Sequence, residues 1–334
     1  MKGNNDIIGI GLESSCDETA VGIVHNGTDV LANCIFSQVD LHSEYFGVVP
    51  EIASRSHLEV INALIRKALQ GAGISFKDLH YVAATNRPGL VGSLLIALQS
   101  AKAISYTGNI PFIAVNHLEA HLYAPFLEGN ALSYPFIGLL VSGGNTAVYR
   151  VEGAGRMELI GKTVDDAAGE AFDKIAKFAN LGYPGGPRIE KMAETAREKR
   201  KLFPKILSDS PDDTRFSYSG LKTAVINFMK ENPGTPLEEI VYSFQERALE
   251  LLVRRVFTAA RKQSVATIVV AGGVAANGRL RQLLEEERRP GETVLIPSPI
   301  LCTDNAAMVA GIGYRYFLQG SFSTLTEDVF ARSQ

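Results

Sequence analysis

Ile7-Ile8-Gly9-Ile10-Gly11-Leu12, then Glu13-Ser14-Ser15-Cys16-Asp17-Glu18-Thr19, then Ala20-Val21-Gly22-Ile23-Val24 open the chain. Two apolar runs joined by a short turn of small and polar residues read as a β-hairpin. The arrangement recurs in the second half. Pro135-Phe136-Ile137-Gly138-Leu139-Leu140-Val141, Ser142-Gly143-Gly144-Asn145-Thr146 and Ala147-Val148-Tyr149-Arg150-Val151 are again strand, small-residue turn and strand. One such hairpin per half predicts a duplicated architecture. Between them a helical pattern over 56–70, a strand over 81–85 and a long helix from about 89 to 106 make an α/β half. A strand over 112–115 follows. The second half holds helical patterns near 167–178, 188–200 and 237–263, a strand over 267–271 and a helix over 278–287. No linker or low-complexity tract separates the halves, so two lobes packed across a cleft are expected.

Composition agrees with that size of fold. The 334 residues exceed the roughly 250–300 at which a single core stops growing. A hydrophobic content of 46% with 21% charged residues excludes a disordered chain. The net charge of −3 supplies no global basic field, so any contact with nucleic acid must come from a local patch. Cys16, Cys34 and Cys302 are too few and too far apart for a disulfide scaffold or a zinc ribbon, which points to a reducing cytoplasm. No apolar run approaches the length of a membrane span and residues 1–6 carry no signal-type apolar region, so a soluble, unprocessed protein is expected.

The strongest chemical signal is Val115-Asn116-His117-Leu118-Glu119-Ala120-His121-Leu122, with a lone Asp304 far downstream. Helical residues turn by roughly 100° each, so histidines at i and i+4 lie about 40° apart on one face and can share a metal ion. Glu119 would project about 180° away from them, whereas a helical metalloprotease places its general base at i+1. Two histidines, one carboxylate and open positions suit Fe(2+) or Zn(2+) with room for an outside ligand. The plainer alternative is that one histidine packs or caps while the other faces water. His25, His42, His57 and His80 show no partner spacing and read as surface or capping residues.

Two glycine turns form a second layer. In Ser142-Gly143-Gly144-Asn145-Thr146 the backbone N–H groups can approach an anion closely, with phosphate the expected guest. Ala271-Gly272-Gly273-Val274-Ala275-Ala276-Asn277 follows a strand and precedes a helix, where a helix N-terminus meets a nucleotide. Neither is G-x-G-x-x-G, and no Walker A lysine motif occurs. Either turn alone reads first as a tight-turn glycine; the pair in corresponding positions favours a ligand.

These segments, together with Val48-Val49-Pro50-Glu51-Ile52-Ala53-Ser54-Arg55, Gly169-Glu170-Ala171-Phe172-Asp173-Lys174, Tyr183-Pro184-Gly185-Gly186-Pro187, Phe216-Ser217-Tyr218-Ser219-Gly220-Leu221-Lys222-Thr223 and Cys302-Thr303-Asp304-Asn305, resemble the TsaD/YgjD/Gcp family in order and over nearly the whole chain. These are the tRNA N6-adenosine threonylcarbamoyltransferases. The resemblance implies a duplicated, two-lobed actin-like α/β fold of the actin, sugar-kinase and Hsp70 class with a central cleft. The expected lobes are 1–116 with about 304–334, and 117–303, the second carrying the metal histidines and the substrate turns. The resemblance further implies metal ligands at His117, His121 and Asp304. It places the adenylate-type substrate on Leu140, Val141, Ser142, Gly143, Gly144, Asp173, Gly186 and Asn277, with Glu190 standing where an Asp is common. Arg87-Pro88-Gly89-Leu90 departs from the usual Gly-Pro-Gly-Leu, and Phe46-Gly47 from a glycine pair.

The implied reaction moves threonylcarbamoyl from threonylcarbamoyl-AMP to N6 of the anticodon-adjacent adenosine in tRNAs reading codons that begin with A. Glu13 and Asp17 are candidates for orienting or deprotonating the amine, or else acceptors for turn N–H groups. Implied partners are tRNA, a paralogous actin-like subunit, a small P-loop ATPase and a separate enzyme that makes the adenylate. No membrane is among them. Other function classes are a metalloendopeptidase and a non-catalytic, nucleotide-switched actin-like subunit. The basic tract Arg197-Glu198-Lys199-Arg200-Lys201 reads as a solvated helix end or a tRNA-phosphate patch, and Arg254, Arg255, Arg261 and Lys262 carry the same ambiguity.

Overall fold

Gly9 and Gly11 alternate with Ile10 and Leu12 in β1 (Ile8–Glu13), so the period of two sends the branched side chains to one face and leaves the other nearly bare. In a computed structural model describing residues 6–45, 47–205 and 213–332, β1 pairs antiparallel with β2 (Glu18–His25), and β2 with β3 (Asp29–Ser37). Asn26 and Gly27, both at positive φ, make the turn between β2 and β3. After α1 (Val39–Ser43) and α2 (Pro50–Ala72), β4 (Tyr81–Arg87) runs parallel to β1. Beyond α3 (Val91–Gly108), β5 (Phe112–Asn116) runs parallel to β4, giving the sheet order β3-β2-β1-β4-β5.

Ile10, Leu12, Val21 and Ile23 meet Ile61, Ile65 and Leu69 of α2 and Leu98 of α3 in one buried cluster. The bare face receives α11 (Ala306–Leu318). A Cβ on Gly11 would lie 2.4 Å from the Ala306 carbonyl oxygen, and one on Gly22, directly opposite in the ladder, 2.3 Å from the Ala307 nitrogen. Only glycine lets this helix approach so closely. α4 (His117–Tyr123) lies on the same side, where the Tyr316 hydroxyl donates to Glu119 at 2.7 Å.

The duplication expected from the two hairpins is realised in topology. β6 (Phe136–Val141), β7 (Thr146–Gly153) and β8 (Arg156–Lys162) form an antiparallel meander, β9 (Thr267–Ala271) and β10 (Thr293–Leu295) continue it in parallel, and the order is β10-β9-β6-β7-β8. The sheet is covered by α5 (Ala168–Phe178), α6 (Gly185–Glu194), α7 (Ser219–Glu231) and α8 (Leu237–Lys262), with Phe172 of α5 against Phe244 of α8 at 4.9 Å between ring centroids. α9 (Gly278–Glu287) and α10 (Pro299–Cys302) complete this half.

The structure corrects the expected lobe boundary. The chain divides into Met1–Leu132 with Thr303–Gln334, and Ser133–Cys302. The histidine helix α4 therefore belongs to the first unit, because its buried face packs on α11 and β5 rather than on the second sheet. Further elements differ from the sequence reading, which also lacks α7, α10 and α11. β3, β8 and β10 escaped it, since each is either short or broken by polar residues. α2 begins at Pro50, where the fixed φ of proline suits the first helical turn. α6 ends at Glu194, six residues before the expected end, as the chain turns to bury Phe203, with Leu202 and Phe203 N–H groups donating to the Ser243 hydroxyl. Phe46 lies outside the described residues. Among the described residues no helix is long and apolar enough to cross a membrane.

The Gly11–α11 contact is testable by unfolding. Gly11→Ala should destabilise the protein by about 1–3 kcal/mol through overpacking, measured from urea midpoints. Gly234→Ala, where a Cβ meets no atom within 4 Å, should change stability by less than about 0.5 kcal/mol. Equal effects of the two would contradict the packing described.

Candidate functional site

Asn116 closes β5 in extended conformation, and its side-chain oxygen accepts from the Leu118 N–H at 2.9 Å, which starts α4 at His117. The i,i+4 spacing then acts as read from the sequence. The His117 and His121 rings meet edge to face with centroids 4.5 Å apart. Asp304, at the entrance to α11, places Oδ1 3.0 Å from His121 Nε2 and 3.6 Å from His117 Nε2. One ligand atom from each of the three lies within 4.8 Å of the others. Two imidazole nitrogens and a carboxylate oxygen converging at this spacing are a donor set that fits a borderline divalent ion.

The far side of His117 is also fixed. Nδ1–H donates to Glu13 Oε2 at 2.9 Å, and Glu13 Oε1 accepts the Ser15 N–H at 2.6 Å. This carboxylate–histidine pair leaves Nε2 as the free ligand atom. Burial alone would push the His117 imidazole down; the Glu13 and Asp304 carboxylates outweigh it and raise it to about 9. Burial works to raise Asp304, but the charges on His117 and His121 hold it at about 2.

Glu13 is fully buried with both oxygens engaged. It stands behind the histidine and accepts the Ser15 N–H, as in the turn-acceptor alternative of the sequence reading. Asp17 lies at the other end of the same turn and hydrogen-bonds Glu18, which sequence reasoning passed over. Burial, then the Asp304 and Asp17 charges, push Glu18 up to about 9. Glu119 accepts from Tyr316 and points away from the histidines, and Leu118 occupies the position a zincin would give its base.

Two histidines read as surface or capping groups are buried instead. His57 Nε2–H donates to the Cys16 carbonyl at 3.0 Å and its Nδ1 accepts from the Thr19 hydroxyl at 2.7 Å, while His42 contacts Gln38 at 3.2 Å. His57 thus ties α2 to the turn between β1 and β2. Its sequence neighbourhood is helical and gives no sign of that partner.

The residues expected to hold the adenylate all fall in the second unit and are joined by contacts there. Leu140 and Val141 are buried in β6, so only their backbone faces a ligand. Ser142 N–H donates to the Asn145 carbonyl at 2.8 Å, closing the turn, and a Cβ on Gly143 or Gly144 would meet nothing within 4 Å. The Ser142 carbonyl accepts from Gly169 N–H of α5 at 3.2 Å. Further along α5, Asp173 Oδ1 accepts from Gly185 N–H at 2.7 Å, at the start of α6 and beside Gly186. On α6, Glu190 Oε1 accepts from Gly278 N–H at 2.6 Å, at the start of α9. Asn277 caps α9 through Leu280 N–H at 2.9 Å and donates to Gln245 at 3.1 Å.

The basic tracts are largely spent on local pairs. Arg200 pairs with Glu198, Lys201 with Glu250, Arg255 with Asp213 at 3.1 Å and Arg261 with Glu287 at 2.7 Å and Glu292 at 2.8 Å. Arg254 and Lys262 also have partners.

The sequence model of the tRNA N6-adenosine threonylcarbamoyltransferase family matches residues 29–311. A protein of that name from Clostridium perfringens (strain SM101 / Type A) is 46% identical over 97% of this chain and 96% of its own length. One from Treponema denticola is 47% identical, with the same coverage of 97% and 96%. Among solved structures, T. kodakarensis HypF superposes with a TM-score of 0.64 at 15% identity, over 95% of this chain and 48% of its own. Component A of the Acidaminococcus fermentans (R)-2-hydroxyglutaryl-CoA dehydratase gives 0.57 at 17% identity, over 94% and 99%. These likenesses establish the actin-like α/β fold.

Two outcomes follow from the cluster. His117→Ala and Asp304→Ala should each lose bound Fe or Zn by elemental analysis, and Glu13→Gln should weaken metal affinity about 10–100-fold; full occupancy in the first two would refute the ligand set. In chelator-treated protein, the raised His117 value means that its stabilisation is complete below about 6.5 and is lost as pH rises to about 9. Urea unfolding should show that loss in the wild type and not in His117→Gln.

Proposed function

The chain belongs to the tRNA N6-adenosine threonylcarbamoyltransferase family and is a transferase, and from that premise we propose that it moves threonylcarbamoyl from threonylcarbamoyl-AMP to N6 of the anticodon-adjacent adenosine in tRNAs reading codons that begin with A. The observation that carries the reading is the convergence of His117, His121 and Asp304 at one point. A nucleotide-switched binding subunit has no use for it, and a peptidase would need a base where Leu118 stands.

His117, His121 and Asp304 would hold the metal, which when bound supplies Lewis acidity toward the acyl group. Glu13 keeps the His117 Nε2 lone pair aimed outward. On the second unit, the open backbone of Ser142-Gly143-Gly144 would receive the phosphate and stabilise charge that grows on the leaving AMP. Gly186, in the first turn of α6, adds a helix N-terminus to the same anion. Asp173 gives one carboxylate oxygen to the Gly185 N–H, and its other oxygen would accept a hydroxyl of the nucleoside; Glu190, which accepts from the Gly278 and Arg279 N–H groups, would add its carboxylate at the start of α9. Asn277 sets the start of α9 against that site. Glu18, protonated at neutral pH, holds Asp17 by a hydrogen bond, leaving Asp17 the carboxylate that would take the proton from N6.

The test is reconstitution with threonylcarbamoyl-AMP, tRNA and the implied actin-like and P-loop ATPase partners, reading modified nucleoside by mass spectrometry. Gly144→Val has space to fold, because a Cβ there meets no atom within 4 Å, yet should lose roughly a hundredfold or more in transfer by filling the phosphate turn. His121→Ala should abolish transfer through the metal site. Wild-type transfer by His121→Ala would overturn the mechanism.

A further inference from the structure

Arg87 ends β4 with its Cα in ladder register with Asn116, the residue before His117. A register shift between Thr85 and Arg87 marks a β-bulge there, a device that re-aims a side chain at a strand end. The segment that follows is bolted to the metal turn. Leu90 N–H donates to the Ser15 carbonyl at 2.8 Å, a Cβ on Gly89 would lie 2.6 Å from that oxygen, and the Ser15 hydroxyl is 3.2 Å from His117 Nδ1.

Arg87 is half-buried, yet among the described residues its guanidinium has no hydrogen bond and no ion pair. Carboxylates at this end of the sheet are already committed: Glu13 to Ser15 and His117, Asp304 to the two histidines, Asp17 and Glu18 to each other. Two residues earlier the Thr85 hydroxyl is fully buried and also without a partner. A buried hydroxyl without a partner is a cost to the fold that an incoming acceptor removes. A guanidinium is permanently cationic and presents a fork of N–H donors that matches an oxyanion.

We propose that Arg87 binds an oxyanion beside the metal cluster, namely a backbone phosphate of the tRNA next to the adenosine being modified. The inference rests on the tRNA reading above. A polyanion approaching this end of the sheet meets the Asp17 and Asp304 carboxylates, and Arg87, at the end of the adjoining strand, is a cation without an acidic partner among the described residues. A carboxylate on the small substrate shares the chemistry, and the experiment separates the two.

The experiment measures tRNA binding by the full chain with its partners across a series of salt concentrations, alongside KM for threonylcarbamoyl-AMP and thermal unfolding. Arg87→Ala and Arg87→Gln should weaken tRNA binding roughly tenfold and make the slope of log affinity against log salt shallower by about one unit. Arg87→Lys should keep the wild-type slope, because an ammonium still serves as a point charge to phosphate. KM for threonylcarbamoyl-AMP should not move. An unchanged slope in Arg87→Gln with normal unfolding overturns the inference, and an unchanged slope with a raised KM for the adenylate overturns it in favour of the small substrate's carboxylate. Failure of the wild type to bind tRNA under any salt condition would overturn the functional reading, and this inference with it.

Discussion

A carboxylate as deeply buried as Glu13 must be met by donors, and the Ser15 N–H and the His117 imidazole are those donors. That single requirement links the first turn of the chain to residue 117, and the histidine pair links both to residue 304. Three segments far apart in sequence are thereby fixed to one point at the end of the first sheet. The return of the chain after Cys302 is part of the same constraint. α11 must lie against β1 and β2 for Asp304 to arrive, and the paired Gly11 and Gly22 make that approach sterically possible.

The second unit solves a different problem with similar means. Asp173 on α5 and Glu190 on α6 each satisfy the N-terminus of a later helix, so α5 fixes α6 and α6 fixes α9. Carboxylates at helix N-termini offset unsatisfied N–H groups and the positive end of the dipole. A chain of contacts thus runs from the Ser142 carbonyl through α5 and α6 to the start of α9. A methylene more in Glu190 than in aspartate is accommodated here by its reach to Gly278.

Much of this was legible in the sequence, and the limits are physical. The two strand–turn–strand segments announced the duplicated topology because both faces of their strands are buried and write continuous apolar runs. The i,i+4 histidines were readable because helical periodicity is local. The boundary at 132 was not, since α4 is assigned to its unit by packing against α11, nearly two hundred residues away. Glu13 carried an ambiguous carboxylate in a turn, and its role as partner to His117 depends on which strand end lies beside which. His57 was invisible for the same reason: its partners Cys16 and Thr19 lie about forty residues earlier and meet it only where α2 packs on the β1–β2 turn. Arg87 stood out in sequence only as a charge where a small residue was expected, and its unpartnered state is a property of the fold.

The central claim is that His117, His121 and Asp304 together form the metal centre of a transferase. X-ray absorption spectroscopy at the edge of the metal carried by the purified protein tests it directly. The account predicts a first shell of only nitrogen and oxygen at about 2.0–2.2 Å, with multiple-scattering features of two imidazoles and the rest of the shell oxygen. A sulfur scatterer at about 2.3 Å, or a shell without imidazole, would contradict it.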